Sequence, residues 1–215
     1  MNEILGYGED AFTLWALKKH ISKILDKLND RSSPSDCLIF FRPSFGRSGG
    51  KESEQFGEFD SILASAENLY LIESKWDNFS ENKDDEIKLE HKQVLRHELF
   101  IWYYKNWRHQ EYRDWKEFRT VPLQNDFEMS FRDRKKAIAP LKSLLAENLE
   151  FVLKKLKEHF ENFSCAYKKP RNVLFYFYNK NRSKEIEKVI SGDVNFEVIN
   201  IDYSQYVLGN FIHLD

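Results

Sequence analysis

An aspartate, a glutamate and a lysine whose spacing could serve chemistry lie within one short stretch of the sequence, residues 57–76. Asp60 comes first, and Glu73 and Lys75 follow as a Glu-x-Lys pattern at the end of an apolar run. Two carboxylates can share a divalent cation, because Mg²⁺ prefers oxygen ligands and needs only one or two carboxylates. A lysine beside them can stabilise charge that develops on a phosphate. The stretch therefore indicates a metal site with a cationic helper.

The spacing of these residues predicts how a hairpin would bring them together. Side chains alternate faces along a strand, so Glu73 and Lys75 share one face. Small and polar residues between the two predicted strands indicate a hairpin loop. If Ser65 pairs with Asn68 across a two-residue turn, antiparallel register puts Asp60 opposite Glu73, with Cβ atoms about 5 Å apart. Two like charges at that separation destabilise a sheet, but a divalent cation bound between them would make the interaction favourable.

An alternative interpretation needs no metal. A Glu-x-Lys pattern on a strand is most often a solvated face with a weak salt bridge. The apolar context of both predicted strands argues against it here, because charged residues are rarely set in such runs without a partner.

The residues Asp60 and Glu73-Ser74-Lys75 resemble the PD-(D/E)xK motif of the restriction-endonuclease-like nuclease superfamily. In that family an Asp ends one strand and (D/E)-x-K lies on the next. Phe59 stands where the motif usually has proline. The resemblance implies a core of helix–strand–strand–strand–helix–strand, with a further acid on the first helix. The predicted order of elements matches this core over about three quarters of the chain.

Two predicted helices add further candidates. Glu9 opens the first helix and matches the additional acid of the family; a carboxylate in a first helical turn is also favourable without any catalytic role, and Asp10 is its rival. Gln93 lies on the helix after the motif, where some relatives use a Gln near the active site, although an exposed Gln is common on helices. His91 and His97 are six residues apart on that helix, nearly on opposite faces, and are not interpreted as a metal pair.

The resemblance also implies the chemistry. Asp60, Glu73 and the carbonyl of Ser74 would hold Mg²⁺, for which Mn²⁺ can substitute. The metal would polarise the scissile phosphate and acidify a bound water. Lys75 would orient that water or stabilise the developing charge, and Glu9 would complete a second metal site or bind through a water.

Two segments could hold nucleic acid. Residues 42–51 combine Arg42, Arg47 and Lys51 with glycines that permit close approach to phosphate; a flexible loop with scattered charge is an equal alternative. In residues 100–119 aromatic side chains alternate with basic ones, which would allow stacking on bases. Their near-helical spacing favours a place in the core or in a dimer face instead.

The periodicity of apolar residues predicts the elements that position these side chains. The predicted helices are 9–29, 85–108, about 135–162 and Ser183–Ile190. The predicted strands are Cys37–Phe41, Phe56–Leu63, a run from Leu69 through Glu73 to Lys75, Val173–Tyr178 and Phe196–Ile201. We expect an α/β fold: a restriction-endonuclease-like mixed β-sheet flanked by helices, with a helical insertion at about 109–170 before the last two strands, all in one domain spanning 1–215.

Composition limits the class of protein. Charged residues make up 32% of the 215 residues and aromatics 15%, a globular composition. No apolar run reaches the length of a membrane span and the N-terminus does not read as a signal peptide, so we expect a cytoplasmic protein that does not bind membranes. Two distant cysteines, Cys37 and Cys165, indicate a reducing compartment and exclude a cysteine-ligated cluster. The net charge of −2 restricts any nucleic-acid surface to a local patch.

The sequence thus predicts a Mg²⁺-dependent endonuclease that hydrolyses phosphodiester bonds, with DNA favoured over RNA. A type II restriction enzyme or a related defence or repair nuclease fits a single compact chain, and cutting both strands at a palindrome would need a homodimer. The alternative is a catalytically inactive nucleic-acid-binding or structural protein that kept the nuclease fold.

Overall fold

The fold is described by a computed structural model, over residues 3–45, 57–77, 86–108, 144–164 and 169–214. Its strands, in chain order, are β1 (Leu5–Tyr7), β2 (Leu38–Phe41), β3 (Ser61–Ala64), β4 (Leu69–Trp76), β5 (Glu86–Lys88), β6 (Arg171–Tyr178), β7 (Lys188–Ile190), β8 (Phe196–Asp202), β9 (Val207–Leu208) and β10 (Phe211–His213). Its α-helices are α1 (Glu9–Lys19), α2 (Ile21–Lys27), α3 (His91–Arg108) and α4 (Leu144–Asn162).

A five-stranded mixed sheet carries the candidate site, in the order β2-β3-β4-β6-β8. Strands β2, β3 and β4 are antiparallel neighbours, while β6 runs parallel to both β4 and β8. The amide of Ser65 donates to the carbonyl of Asn68 over 2.9 Å and closes the β3–β4 hairpin. Its ladder runs from Ala64 opposite Leu69 to Ser61 opposite Ile72, which confirms the predicted turn and register.

The two faces of β4 pack against different helices, as the period-two pattern predicts. Tyr70 and Ile72 belong to the cluster that α1 and α2 cover. Leu69 and Leu71 belong to the cluster that α3 and α4 cover. The central strands are therefore buried on both sides, and each fully buried large apolar side chain contributes roughly 1.5–3 kcal/mol. The α/β class and the mixed sheet flanked by helices are confirmed.

Helix α4 lies within the segment predicted as a helical insertion. Its buried residues recur at helical spacing on one face: Leu149, Val152, Leu153, Leu156 and Phe160. The predicted start of this helix, at about residue 135, lies outside the described residues, as does 109–143. In the part of the chain that the structure describes, no helix is long and apolar enough to cross a bilayer.

Several predicted boundaries are wrong. Helix 9–29 breaks at His20 into α1 and α2. Residues 86–88 form β5 and not the start of α3, because they pair in parallel with β7. The predicted helix Ser183–Ile190 is absent for the same reason, and the amide and carbonyl of Ile186 bond instead to the side chain of Asn200. The link between β6 and β8 therefore lacks the predicted helix.

The strand predicted at Phe56–Leu63 is shorter than expected. It begins at Ser61, and Phe56 lies outside the described residues. Arg42 adopts a positive φ of 50°, which turns the chain at the end of β2. A three-stranded antiparallel sheet, β1-β10-β9, was not predicted; it places β1 directly before α1.

Candidate active site

Asp60 lies at the point where strand β3 begins. The ladder with β4 ends at Ser61 opposite Ile72, so Asp60 stands one residue outside it. Its backbone carbonyl accepts a hydrogen bond of 3.1 Å from the amide of Arg42. Its carboxylate turns to β4, where Oδ2 accepts a hydrogen bond of 2.6 Å from the amide of Ser74. Asp60 therefore contacts the Glu-x-Lys strand through its side chain, rather than through the predicted ladder pair with Glu73.

Ser74 presents its backbone toward Asp60 and its side chain toward α1. In an antiparallel ladder the N–H and C=O of one residue point to the same neighbour. Since the Ser74 amide reaches Asp60, its carbonyl is directed to that side as well. The Ser74 hydroxyl lies 2.7 Å from Thr13 Oγ1, and the Thr13 hydroxyl also contacts the carbonyl of Glu9 at 2.8 Å. These contacts tie the motif strand to the first turn of α1.

Glu73 lies on the face of the sheet opposite the Ser74 side chain, and it is buried there, with 1% of its surface exposed. Gln93 donates a hydrogen bond of 3.1 Å from Nε2 to Glu73 Oε2. The Arg96 guanidinium lies 3.2 Å from Glu73 Oε1. Gln93 thus contacts the predicted catalytic acid, as the resemblance implied, and Arg96 contacts it as well, which was not predicted.

His97 is a third residue of α3 that lies beside Glu73. It is fully buried, its Nε2 lies 3.6 Å from Glu73 Oε1, and its Nδ1 is hydrogen-bonded at 2.8 Å to Asn172 Oδ1. Gln93, Arg96 and His97 are spaced i, i+3 and i+4, so they share one face of α3. That spacing was the signal in the sequence that could have identified Arg96 and His97 together with Gln93.

Lys75 and Glu9 meet at the end of the motif strand. Gly8 adopts a φ of +85° and turns the chain from β1 into α1, so that Glu9 becomes the first residue of the helix. Lys75 Nζ lies 3.7 Å from Glu9 Oε1. The rival acid, Asp10, instead pairs with Arg42. Of the two acids, Glu9 is the one that the structure brings to the motif.

The electrostatics of the three acids differ. Burial, Glu73 and Glu9 raise the pKa of Asp60 well above its usual range, against the opposing effect of the Ser74 amide and Lys75. Burial also raises the pKa of Glu9, which Lys75 partly offsets. Burial acts in the same direction on Glu73, but His97, Arg96 and Lys75 together hold the pKa of Glu73 below its ordinary value. Asp60, Glu73 and Glu9 therefore repel one another, and the negative charge of Glu73 is balanced by the neighbouring Arg96 and Lys75.

The donor set fits a divalent metal that keeps several waters. Glu73 Oε1 is buried and makes no hydrogen bond to a described residue, but the Arg96 guanidinium lies 3.2 Å from it, so a bound cation would share this oxygen with Arg96. Asp60 and the Ser74 carbonyl add oxygen donors, and repulsion among Asp60, Glu73 and Glu9 would be relieved by positive charge. Within the described ranges no group of three or more His, Cys, Asp or Glu side chains is arranged to hold a metal. The set is thus limited to two carboxylates and a carbonyl, which suffices for Mg²⁺.

The structure describes part of each of the two predicted nucleic-acid-binding segments. Arg42 is ion-paired with both Asp10 and Glu58, so its charge is compensated within the protein. Arg47 and Lys51 lie outside the described residues. In the second segment Phe100 and Tyr104 are buried in the core against α4, as their spacing favoured, and residues 109–119 lie outside the described ranges.

The chain matches no protein-family model, and neither a curated protein nor a solved structure was found to be similar to it.

Proposed function

We propose that this protein is a metal-dependent nuclease that hydrolyses phosphodiester bonds, with DNA as the favoured substrate. The observation that carries the proposal is the hydrogen bond from the Ser74 amide, between Glu73 and Lys75, to the Asp60 carboxylate, with Glu9 beside the lysine. The order α1, β2-β3-β4, α3, β6 follows the helix–strand–strand–strand–helix–strand core of the PD-(D/E)xK superfamily, which supports the same conclusion.

Each residue has a role that its surroundings suit. Asp60, Glu73 and the Ser74 carbonyl would hold Mg²⁺ or Mn²⁺. When bound, the metal neutralises charge on the scissile phosphate and acidifies a water. Lys75, fixed by Glu9, stabilises negative charge on the reacting phosphate.

Arg96, His97 and Gln93 serve as positioning residues. They hold the buried Glu73 carboxylate ionised and oriented. A buried carboxylate without such partners would take up a proton and lose its value as a ligand.

A second candidate function is a nucleic-acid-binding protein that kept the fold without its activity. The observation that favours it is the Arg96–Glu73 ion pair, because the guanidinium lies where it can compete with a metal for Glu73 Oε1. Cutting both strands of a duplex would call for a homodimer, and restriction, defence and repair roles all fit the proposed chemistry.

Cleavage of plasmid DNA, single-stranded DNA and RNA in Mg²⁺, Mn²⁺ and EDTA tests the proposal. We expect the wild type to cut in Mg²⁺ and Mn²⁺ and to be inactive in EDTA. Asp60→Ala should abolish cutting, and Lys75→Ala should slow it by about 10²–10³-fold. The exposed Lys88→Ala is the matched control and should keep the wild-type rate.

Two results would contradict the nuclease proposal. One is a wild type that leaves every substrate intact in all metals. The other is a pair of variants that cut as fast as wild type. Binding of nucleic acid without cleavage would favour the second candidate function.

A further inference from the structure

A basic turn follows β6 and stands beside the motif strand. Residues 179–184 read Asn-Lys-Asn-Arg-Ser-Lys, so that Lys180, Arg182 and Lys184 occur at alternate positions. All three side chains are exposed. The turn lies at the carboxyl end of β6, next to the carboxyl end of β4, and ligands of open α/β sheets bind outside the carboxyl ends of the strands.

The turn is anchored to the residue that ends the motif segment. Asp77 comes two residues after Lys75, and its Oδ2 accepts a hydrogen bond of 2.7 Å from the Asn179 amide. The Ser183 hydroxyl donates to the same oxygen. Asp77 is itself fixed, because Tyr203 donates to its Oδ1 over 2.6 Å. A displacement of the turn would therefore require breaking contacts to the strand that carries Glu73 and Lys75.

The backbone of the turn is also held by its own bonds. The amides of Arg182 and Ser183 both donate to the carbonyl of Asn179, at 2.8 and 2.9 Å. The amide of Asn181 donates to the Asn179 side chain over 3.0 Å. Asn179 is buried, so these bonds form on the inner side of the turn. The basic side chains are thus presented to solvent from an ordered backbone.

Two of the three cations are not compensated within the described residues. Lys180 lies 3.3 Å from Asp202 and is paired. Arg182 and Lys184 make no ion pair with any residue that the structure describes. Two of the nearby carboxylates are engaged elsewhere: Asp77 holds the turn, and Glu185 accepts a hydrogen bond from Tyr178. The turn therefore offers two positive charges that no described residue neutralises, next to the candidate active site.

We propose that this turn binds backbone phosphates of the nucleic acid, through Arg182 and Lys184, on the side of the site toward which β4 points. This inference rests on the proposed function and names a substrate-binding element for it. In the parallel register Lys75 stands opposite Tyr176, and Asn179 follows three residues further along β6. At about 3.3 Å per residue that is roughly 10 Å. With a duplex axis parallel to β6, along which the phosphates of one strand advance about 3.4 Å each, the turn would meet a phosphate roughly three nucleotides from the scissile one.

Among the described residues, the turn is better suited than Arg42 to bind a phosphate. Arg42 is occupied by Asp10 and Glu58, whereas the charges of Arg182 and Lys184 are free to release counterions from a polyanion. Such contacts fix the register of the backbone and carry no base specificity. The turn should therefore strengthen the binding of many sequences equally.

The test measures binding without cleavage. Fluorescence anisotropy of a labelled DNA duplex in EDTA gives the affinity of the full chain over a series of salt concentrations. The variants are Arg182→Gln/Lys184→Gln and, as matched control, Lys19→Gln/Lys23→Gln, two exposed lysines of α1 and α2 that likewise make no ion pair with a described residue. Both pairs are exposed cations, and thermal unfolding checks that both variants keep the wild-type fold.

We expect the slope of log affinity against log salt to become shallower by about 2 in the Arg182→Gln/Lys184→Gln variant, since each phosphate contact contributes about 0.9. The affinity at low salt should fall roughly 10- to 100-fold. The control variant should keep the wild-type slope. Wild-type binding with an unchanged slope in the turn variant would overturn this inference and leave the nuclease proposal standing. A wild type that neither binds nucleic acid in this assay nor cleaves it in Mg²⁺ would overturn both.

Discussion

The amide of Ser74 donates a hydrogen bond to Asp60 Oδ2 over 2.6 Å, and this contact joins the two halves of the candidate site. It holds the Asp60 carboxylate against the backbone between Glu73 and Lys75. Burial and the neighbouring acids nevertheless raise the pKa of Asp60 well above its usual range. The Asp60 carboxylate is thus fixed in position and repelled by neighbouring carboxylates, so the binding of a cation there would be favourable.

Metal binding should therefore stabilise the protein through Asp60. At a free Mg²⁺ concentration of about 10–100 times the dissociation constant, the gain is about 1.4–2.7 kcal/mol. For a chain of this size that corresponds to about 3–10 °C in the unfolding temperature. Differential scanning fluorimetry should show this shift for the wild type and lose it in Asp60→Asn. The control is Glu58→Gln, a neighbouring acid that pairs with Arg42, and it should keep the shift. Equal shifts in all three proteins would contradict the proposed ligand.

The ion pair between Arg96 and Glu73 should be strongly coupled. Both side chains are largely shielded, and removing one partner of a buried pair costs about 3–5 kcal/mol because the other charge is left uncompensated. Arg96→Met, which keeps the aliphatic volume, should lower the unfolding free energy by this amount in metal-free urea titrations. Combining it with Glu73→Gln should recover part of the loss.

A double-mutant cycle measures that recovery. We expect a coupling energy of about 1–3 kcal/mol for Arg96 and Glu73. The exposed pair Lys92 and Glu90, 2.7 Å apart near the same end of α3, is the matched control and should give no more than about 1 kcal/mol. Equal coupling in the two pairs would show that Arg96 does not hold Glu73.

The structure distinguishes the two acids at the start of α1. Glu9 contacts Lys75, whereas Asp10 pairs with Arg42. Glu9→Gln should therefore slow cleavage by about tenfold or more, because Lys75 loses the partner that fixes it, while Asp10→Asn should change the rate by less than about threefold. Initial rates of plasmid nicking in Mg²⁺ provide the comparison. A larger effect of Asp10→Asn would reverse the assignment.

At the far end of the β3–β4 hairpin, Asp30 should make stability depend on pH. Its buried carboxylate accepts hydrogen bonds from Ser65, Asn68 and Tyr70, at 2.6, 3.0 and 2.7 Å, and from the Ser32 amide. Burial by itself would raise the pKa of Asp30, but these bonds hold it well below the ordinary value of 3.8.

A carboxyl group with a lowered pKa stabilises the fold above its unfolded-state pKa and loses that contribution as pH falls. Wild-type unfolding free energy should thus decline from about pH 5 downward. Asp30→Asn should be less stable by about 3 kcal/mol near neutrality and flatter in acid, so that the two curves converge. The exposed Asp26→Asn should follow the wild-type curve in urea titrations. Parallel curves for Asp30→Asn and wild type would contradict the role of Asp30.

Local patterns predicted the part of the site that local contacts determine. The small and polar residues between Ser65 and Asn68 specified the hairpin turn, and the period-two geometry of a strand placed Glu73 on the same face as Leu71. The helical spacing of apolar residues likewise located the buried stripe of α4. In these elements the residues that make the contacts are close in sequence, so that the pattern and the structure share one cause.

Contacts between segments that are distant in the sequence could not be predicted from local patterns of residues. Strands β5 and β7 are three residues each, and they pair across about one hundred residues of chain. Such short, charged segments have no alternation that distinguishes a strand from a helix. The position of Asp60 depends on the turn at Arg42, and the Asp77 anchor of the basic turn depends on two parallel strands being adjacent. None of these relationships leaves a periodic signal in the sequence.

The central claim is that Asp60 is a metal-binding catalytic acid, and single-turnover cleavage of a labelled DNA strand in Mg²⁺ tests it most directly. The isosteric Asp60→Asn keeps the shape of the side chain and removes its charge, with Glu58→Gln as the control. We expect wild type and Glu58→Gln to cleave at similar rates and Asp60→Asn to be slower by at least about 10³-fold, a loss of about 4 kcal/mol of transition-state stabilisation. Cleavage by Asp60→Asn at the wild-type rate would contradict the central claim.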